Sequence, residues 1–256
     1  MYKLGLKLYS TNKDYVEPAR KLYETGCYDF IELLSVPDSY TATINWWKLL
    51  GIPFTLHAPH FGFGVNLGRR ESLEFNMRIA NEVRLFSDAL NARHCIYHPG
   101  TDSDINESAR QFSLIKGQNV LVENKPYTTM DGKHRCIGTS YEDIKKVMDV
   151  SGVGFCLDIG HCIAYAESIG EDWHGLFKQF LSLKPAAFHV SDGFLRTGKD
   201  THEHIGKGNY NWSEILPFIP KNSLITIETK KDYPDNLDDF AADARTFRKL
   251  YELFQK

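Results

Sequence analysis

Eight short apolar runs alternate with amphipathic stretches along the chain, and this alternation narrows the fold more than any other feature. The runs fall at 4–10, 30–36, 54–58, 94–97, 120–123, 154–158, 186–190 and 224–228. Short and almost continuously apolar, they have the pattern of parallel strands covered on both faces. Helical stretches lie between them at 16–26, 42–51, 105–116, 141–150, 163–183, 212–218 and 237–254. A longer helix places Leu73, Met77, Ala80, Val83, Phe86 and Leu90 on one face. Ser140 reads as the N-cap of the fifth helix, with Asp143 closing a capping box. Eight βα units predict an α/β fold, a (β/α)8 TIM barrel, as one domain over residues 1–256. An open doubly wound sheet is the alternative.

In such a barrel, groups that do chemistry sit at the C-terminal ends of the strands. Six successive strands end here in ligand-capable residues: His57, His98, Glu123, Asp158, His189 and Glu228. One such residue at a strand end is usually a solvated loop residue. Six in register point to a site, because period-two alternation lets all of them face the barrel axis. Their converging charges call for a cation between them.

The densest stretch follows His189, where Asp192, Asp200, His202 and His204 lie on one loop that closes on Gly206-Lys207-Gly208. Carboxylates and imidazoles together are borderline metal ligands. The glycine pair lacks the Lys-Ser/Thr of a phosphate-binding loop, so it reads as a turn that shapes the site.

Composition sets outer limits. The net charge is −3 with both signs interspersed, so no global field attracts nucleic acid, although a local basic groove remains compatible with it. Cys27, Cys95, Cys136, Cys156 and Cys162 are irregularly spaced, which fits reduced thiols in a cytoplasmic protein. No apolar run is long enough for a signal peptide or a membrane span.

The ordered motifs HxP, YHPG, VEN, LDxxH, FHVSD, DxHxxIGxGN and IET cover nearly the whole chain. Together they resemble the xylose isomerase-like TIM barrels of AP endonuclease family 2, which include endonuclease IV and sugar and sugar-phosphate isomerases and epimerases. The resemblance implies a core metal on Glu123, Asp158, His189 and Glu228. It also implies two further metals of the endonuclease type. One is held by His57, His98 and the shared Glu123, the other by His161, Asp200 and His202. The implied cofactors are one to three divalent ions per chain: Zn, Mn, Co or Mg. His204 matches no ligand position, and Asp192 reads as an orienting partner for a ligand histidine.

Departures from endonuclease IV are visible. Strand one reads Gly5-Leu-Lys-Leu-Tyr-Ser10 in place of Gly-Ala-His-x-Ser, and His60-Phe61 stands where that enzyme has its DNA-wedging Tyr-Leu pair. Glu32 resembles the second-strand glutamate of the sugar isomerases and is expected to contact substrate. Its alternative is a barrel-interior charge paired with a Lys or Arg. Phe61 and Phe63 are candidates for stacking on a sugar or base, and Lys125 and Arg196 for holding an anionic substrate. Arg69, Arg70, Lys133, Arg135, Lys199 and Lys207 are weaker candidates, since solvated Lys and Arg are common.

The expected activity is therefore that of a metal-dependent sugar or sugar-phosphate isomerase or epimerase. Glu123 and Glu228 would be its catalytic residues, moving protons beside a chelated carbonyl. The alternative is a multinuclear zinc phosphoesterase of endonuclease IV type, with abasic-site DNA among its substrates. A non-catalytic metal-binding barrel is the third reading. The expected partner is a small sugar or sugar phosphate, with nucleic acid as the alternative, no membrane, and homo-oligomers compatible with the family.

Overall fold

The computed structural model describes residues 2–115, 117 and 119–254. Eight parallel strands close in sequence order into a barrel. They are β1 (Lys3–Tyr9), β2 (Phe30–Leu34), β3 (Phe54–His57), β4 (Cys95–Tyr97), β5 (Val120–Glu123), β6 (Gly154–Asp158), β7 (Ala187–Val190) and β8 (Leu224–Ile227). The helices are α1 (Val16–Glu24), α2 (Tyr40–Lys48), α3 (Leu73–Leu90), α4 (Ile105–Phe112), α5 (Tyr141–Ser151), α6 (Ile159–Ser168), α7 (Trp173–Ser182), α8 (Trp212–Ile215) and α9 (Asp238–Phe254). The seam is closed by β1 against β8, with Gly5 opposite Thr226 and Leu6 opposite Ile227. This is the TIM barrel expected from the alternation.

Strand parity separates two environments. Leu4, Leu6, Leu8, Ile31, Leu33, Leu56, Val122, Leu157 and Phe188 belong to the main core, together with helix residues such as Trp47, Phe86 and Phe247. Each such side chain contributes about 1.5–3 kcal/mol by leaving water. Residues of the opposite parity fill the barrel in layers. Phe30, Ile96, Leu121, Cys156, Ala187 and Leu224 form an apolar floor of their own. Gly5 belongs to this layer: a Cβ there would overlap the Phe30 ring. Two residues further along these strands the inside becomes polar, with Glu32, Glu123, Asp158, His189 and Thr226 all buried. The apolar floor supports a layer that could not hold itself together without compensating charges.

Two expected elements differ. The helix expected over 163–183 is two helices. The first begins at Ile159, because Asp158 caps it: its Oδ1 accepts the His161 N–H at 2.8 Å. A break follows at Gly170, in the left-handed region at φ 75°, and Asp172 caps α7 through the His174 N–H at 3.2 Å. At α5, Ser140 Oγ accepts the Asp143 N–H at 3.1 Å as expected. The Asp143 carboxylate, however, accepts from Gly138 N–H at 3.3 Å and so ties down the preceding loop. The fourth helix ends at Phe112, and Lys116, its expected last residue, lies outside the described residues.

Candidate metal centre

The polar layer opens into a cavity of about 620 Å³ at the C-terminal end of the barrel. His57, His98, Glu123, His161, Asp200, His202 and Glu228 line it. Their ligand atoms gather into adjoining groups. His57, His98 and Glu123 form one, and His161, Asp200 and His202 form another, as the resemblance implied. Between them lie Glu32, His57, His189 and Glu228, and also Glu123, Asp158 and His161. The expected core quartet is therefore split between two groups, His189 and Glu228 in one and Glu123 and Asp158 in the other. His189 Nδ1 links them, 2.7 Å from Glu228 Oε1 and 3.4 Å from Glu123 Oε2.

Four histidines share one arrangement. His57 Nδ1 meets Ala58 O at 2.8 Å, while its Nε2 is 3.1 Å from Glu123 Oε2. His161 Nδ1 meets Asn124 O at 2.9 Å, while its Nε2 is 3.2 Å from Asp200 Oδ2. His202 Nδ1 meets Glu228 O at 2.7 Å, while its Nε2 is 2.7 Å from Asp200 Oδ2. In His189 the roles reverse: Nε2 is held by Glu32 Oε2 at 3.0 Å and Nδ1 faces the carboxylates. Each ring thus has one nitrogen on the protein scaffold and the other toward acids, and in His161 the scaffold-side Nδ1 also lies 3.1 Å from Glu123 Oε1. That division fixes tautomer and orientation in metal-ligating histidines.

A further observation favours a cation. His189 Nδ1 is buried and makes no well-directed hydrogen bond among the described residues, although Glu228 Oε1 stands 2.7 Å away and Glu123 Oε2 3.4 Å away. A buried nitrogen that faces two carboxylates without a directed hydrogen bond suits a shared cation. The donor set of imidazoles and carboxylates suits zinc or manganese.

Without an ion, protons do the compensating. Burial opposes the charged form of His161, but Asp158 and Asp200 outweigh it and raise the imidazole to about 10. Burial is likewise outweighed at His202, where Asp200 raises the ring to about 9. Burial raises Asp158, despite His161 beside it. His98 is pushed down by burial and by the Lys125 ammonium. His60 is driven to about 3 by burial and by His57, and therefore stands neutral at the cavity wall.

The other expected contacts divide. Lys125 lines the cavity, with Nζ 3.2 Å from His98 Nε2 and 3.3 Å from Glu123 Oε1. Phe61 lines the mouth and is 37 % exposed, enough to meet a substrate ring. Glu32 does not reach the cavity. It is completely buried, accepts from His189 Nε2 and Thr226 Oγ1, and pairs with Lys7 at 3.5 Å. Its carboxylate lies in the polar layer, in the ligand group with His57, His189 and Glu228, and is paired with Lys7 as the alternative reading expected. Arg196 faces a separate depression beside Tyr127 and Glu167, because its loop is tied to the Glu167 carboxylate through Arg196 N–H at 2.7 Å. Asp192 orients no histidine. It accepts from Gly193 N–H, Gly206 N–H, Tyr210 N–H and the Trp212 indole, and so folds the ligand-bearing loop back on itself. Gly208 packs against that turn, where a Cβ would overlap Gly193 O and Asp192 Oδ1. His204 is held between Asp243 at 2.8 Å and Asp232 at 3.1 Å, away from the centre.

Lys7 was not singled out from sequence, yet its ammonium lies in the polar layer between Glu228 and Glu32. The available signal was parity: Lys7 is two residues from the inward-facing Gly5. Lys231 also reaches the cavity, from a segment with no strand pattern to place it.

An eight-stranded parallel barrel with histidine and carboxylate groups gathered at its C-terminal rim is a TIM barrel of the metal-site class. The chain belongs to the xylose isomerase-like TIM barrel family, whose model matches residues 20–250. It is similar to a probable endonuclease 4 of Aquifex aeolicus (strain VF5), with 30% identity over 224 residues, 78% of this chain and 77% of the relative. A probable endonuclease 4 of Staphylococcus aureus (strain JH9) is 24% identical over 198 residues, 72% of this chain and 65% of the relative. Among solved structures, a D-tagatose 3-epimerase-like protein superposes with a TM-score of 0.77 at 17% identity, over 98% of each chain. Endonuclease IV from Thermus thermophilus does so with a TM-score of 0.70 at 17% identity, over 98% of this chain and 99% of that one. At such identities the superpositions speak for the fold.

Proposed function

We propose that this chain is a multinuclear metal-dependent phosphoesterase. The observation that carries the reading is the assembly of two flanking ligand groups, His57–His98–Glu123 and His161–Asp200–His202, on either side of the His189–Glu228 pair. One ion suffices to chelate a hydroxy-ketone, so the flanking groups are put to fuller use by a reaction that employs several ions. Three adjacent ions suit a phosphate ester, whose attacking and leaving oxygens both need charge stabilisation. The similarity to the Aquifex aeolicus relative, named a probable endonuclease 4, supports the same side.

In this reading His57, His98 and Glu123 hold one ion. Glu123, Asp158, His189 and Glu228 hold a second, and His161, Asp200 and His202 a third. When bound, the ions supply Lewis-acid stabilisation of charge on the phosphoryl oxygens. The chain supplies the rest. Asn124 fixes Asp158 and His161 together, by exchanging hydrogen bonds with the Asp158 backbone at 2.8 and 2.9 Å while its own carbonyl holds His161 Nδ1. Lys125 stands among the ligands as a donor for a phosphate oxygen. Phe61 offers a ring at the mouth. The free thiols of all five cysteines support placement in the cytoplasm.

A sugar or sugar-phosphate isomerase or epimerase is the second reading. It is favoured by Glu123 and Glu228, which approach His189 Nδ1 together as a proton-moving pair would. One assay separates the two. Zinc- and manganese-loaded protein is offered p-nitrophenyl phosphate, bis(p-nitrophenyl) phosphate and an abasic-site duplex, and in parallel a ketose panel in D2O. Ester hydrolysis is expected. Deuterium incorporation into a ketose without any hydrolysis would replace the first reading by the second.

A further inference from the structure

The cavity extends beyond the ligand groups, toward the exit of β1 and the segment after β8. Lys7, Tyr9, Asn12, Tyr15, Thr229 and Lys231 line this lobe. Its charges are unequally matched. Lys7 is paired with Glu228 and Glu32. Lys125, on the far side, is paired with Glu123 at 3.3 Å, and Lys230 reaches Glu203 at 3.4 Å. Lys231 forms no ion pair among the described residues. Its Nζ donates to Thr229 O at 2.9 Å and lies 5.8 Å from the Phe240 ring centroid. An ammonium set against an aromatic ring and given one carbonyl keeps unused donors. Asn12 adds to these: its Oδ1 is taken by the Tyr9 N–H at 2.7 Å, so what it offers a ligand is its NH2 group.

We propose that this lobe, anchored by Lys231 and Asn12 with Lys7 at its base, binds a second phosphate group of the substrate, separate from the ester at the metal ligands. The inference rests on the phosphoesterase reading for the identity of the reacting group. It names the substrate class: a small phosphate ester carrying a second phosphate group. A cavity of about 620 Å³ is the size of small-molecule sites. Burial lowers the Lys231 pKa; Asp239, Asp243 and Glu228 oppose that from a distance without pairing with the ammonium, and Lys7 adds a smaller lowering. A phosphate offers several acceptor oxygens to these separate donors, whereas acetate offers two.

The test uses full-length protein stripped of metal with a chelator and titrated with inorganic phosphate by calorimetry, with acetate as the comparison ion. Saturable phosphate binding is expected, with acetate much weaker. Lys231→Met should weaken phosphate by about tenfold or more, the loss of one charge-assisted hydrogen bond. Asn12→Asp, at a half-buried loop position, puts a negative charge in the same lobe and should weaken it at least as much, which keeps the test open if Lys231→Met does not fold. Lys145→Met, on the exposed face of α5, should bind as the parent does. Absence of saturable binding, equal binding of acetate, or undiminished binding in the folded Lys231→Met or Asn12→Asp protein would overturn the proposal. The phosphoesterase reading stands on metal count and hydrolysis, neither of which this titration measures, so the two can fail separately.

Discussion

Lys7 on β1 and Glu228 after β8 form a partly buried ion pair across the seam where the barrel closes. The ammonium is shared with Glu32 at 3.5 Å, and both carboxylates are almost wholly enclosed. Removing Lys7 leaves Glu228 and Glu32 with His189 as their remaining cationic partner, so the cost is that of one charge-assisted contact, about 1.5–3 kcal/mol. Lys7→Met should therefore destabilise the metal-free protein by roughly that amount. Added zinc should recover part of the loss, because a divalent ion at Glu228 replaces the missing charge. Urea unfolding with and without zinc measures both. Equal losses in the two conditions would mean that no ion binds beside Glu228.

Asn124 joins the end of β5 to the start of α6 through three hydrogen bonds, two with Asp158 and one with His161. Asn124→Ala strands buried backbone groups of Asp158 and should cost about 2–3 kcal/mol. It should also weaken zinc binding at His161, since the ring loses the fixed setting of its carbonyl partner. A variant with lower stability and unchanged zinc titration would separate Asn124 from the site.

The raised pKa values predict how metal affinity depends on pH. At neutral pH the metal-free protein holds protons on His161, raised to about 10, and on His202, raised to about 9. Zinc must displace them, so affinity rises with pH by about tenfold per unit for each proton released, and levels off only above those values. Calorimetry at pH 7 in buffers of different ionisation enthalpy counts the protons. Zinc uptake without proton release would contradict the protonated state assigned to the pair.

Asp192 gathers three donors from its own loop and the Trp212 indole from α8, and that loop carries Asp200 and His202. Asp192→Asn keeps the shape but has only one acceptor oxygen. It should lower stability by about 1–3 kcal/mol and reduce zinc uptake by the His161–Asp200–His202 group, with the other groups unaffected. Uniform loss of all zinc would instead indicate collapse of the rim.

The barrel and its rim were legible in the sequence because each strand is short and apolar and six of the eight, β3 to β8, end in or run into a ligand-capable residue. β5 and β6 fall within the expected boundaries, and His57, His98, Glu123, His161, Asp200 and His202 converge as the motifs implied. What sequence could not supply was the third dimension of the charges. Glu32 and Lys7 are 25 positions apart, and only the β1–β2 register, which sets Lys7 opposite Glu32, makes them neighbours. Arg196 lies close to Asp200 in sequence, yet Glu167 on α6 draws its backbone to another face. Lys231 belongs to a segment tied to α9 by the Asp232 N–H, which donates to the Asp239 carboxylate at 2.6 Å, and no periodicity announces that. The helix over 163–183 was overextended because an apolar pattern continues through Gly170 and Asp172, whose turn and cap chemistry is a weaker signal than periodicity.

The central claim is that three adjoining cation sites share one cavity. Anomalous scattering at the zinc edge, from crystals of zinc-loaded protein, tests it most directly. The account predicts separate peaks at His57–His98–Glu123 and at His161–Asp200–His202, flanking a third beside His189 and Glu228. A single peak beside His189, with both flanking groups empty at saturating zinc, would contradict it.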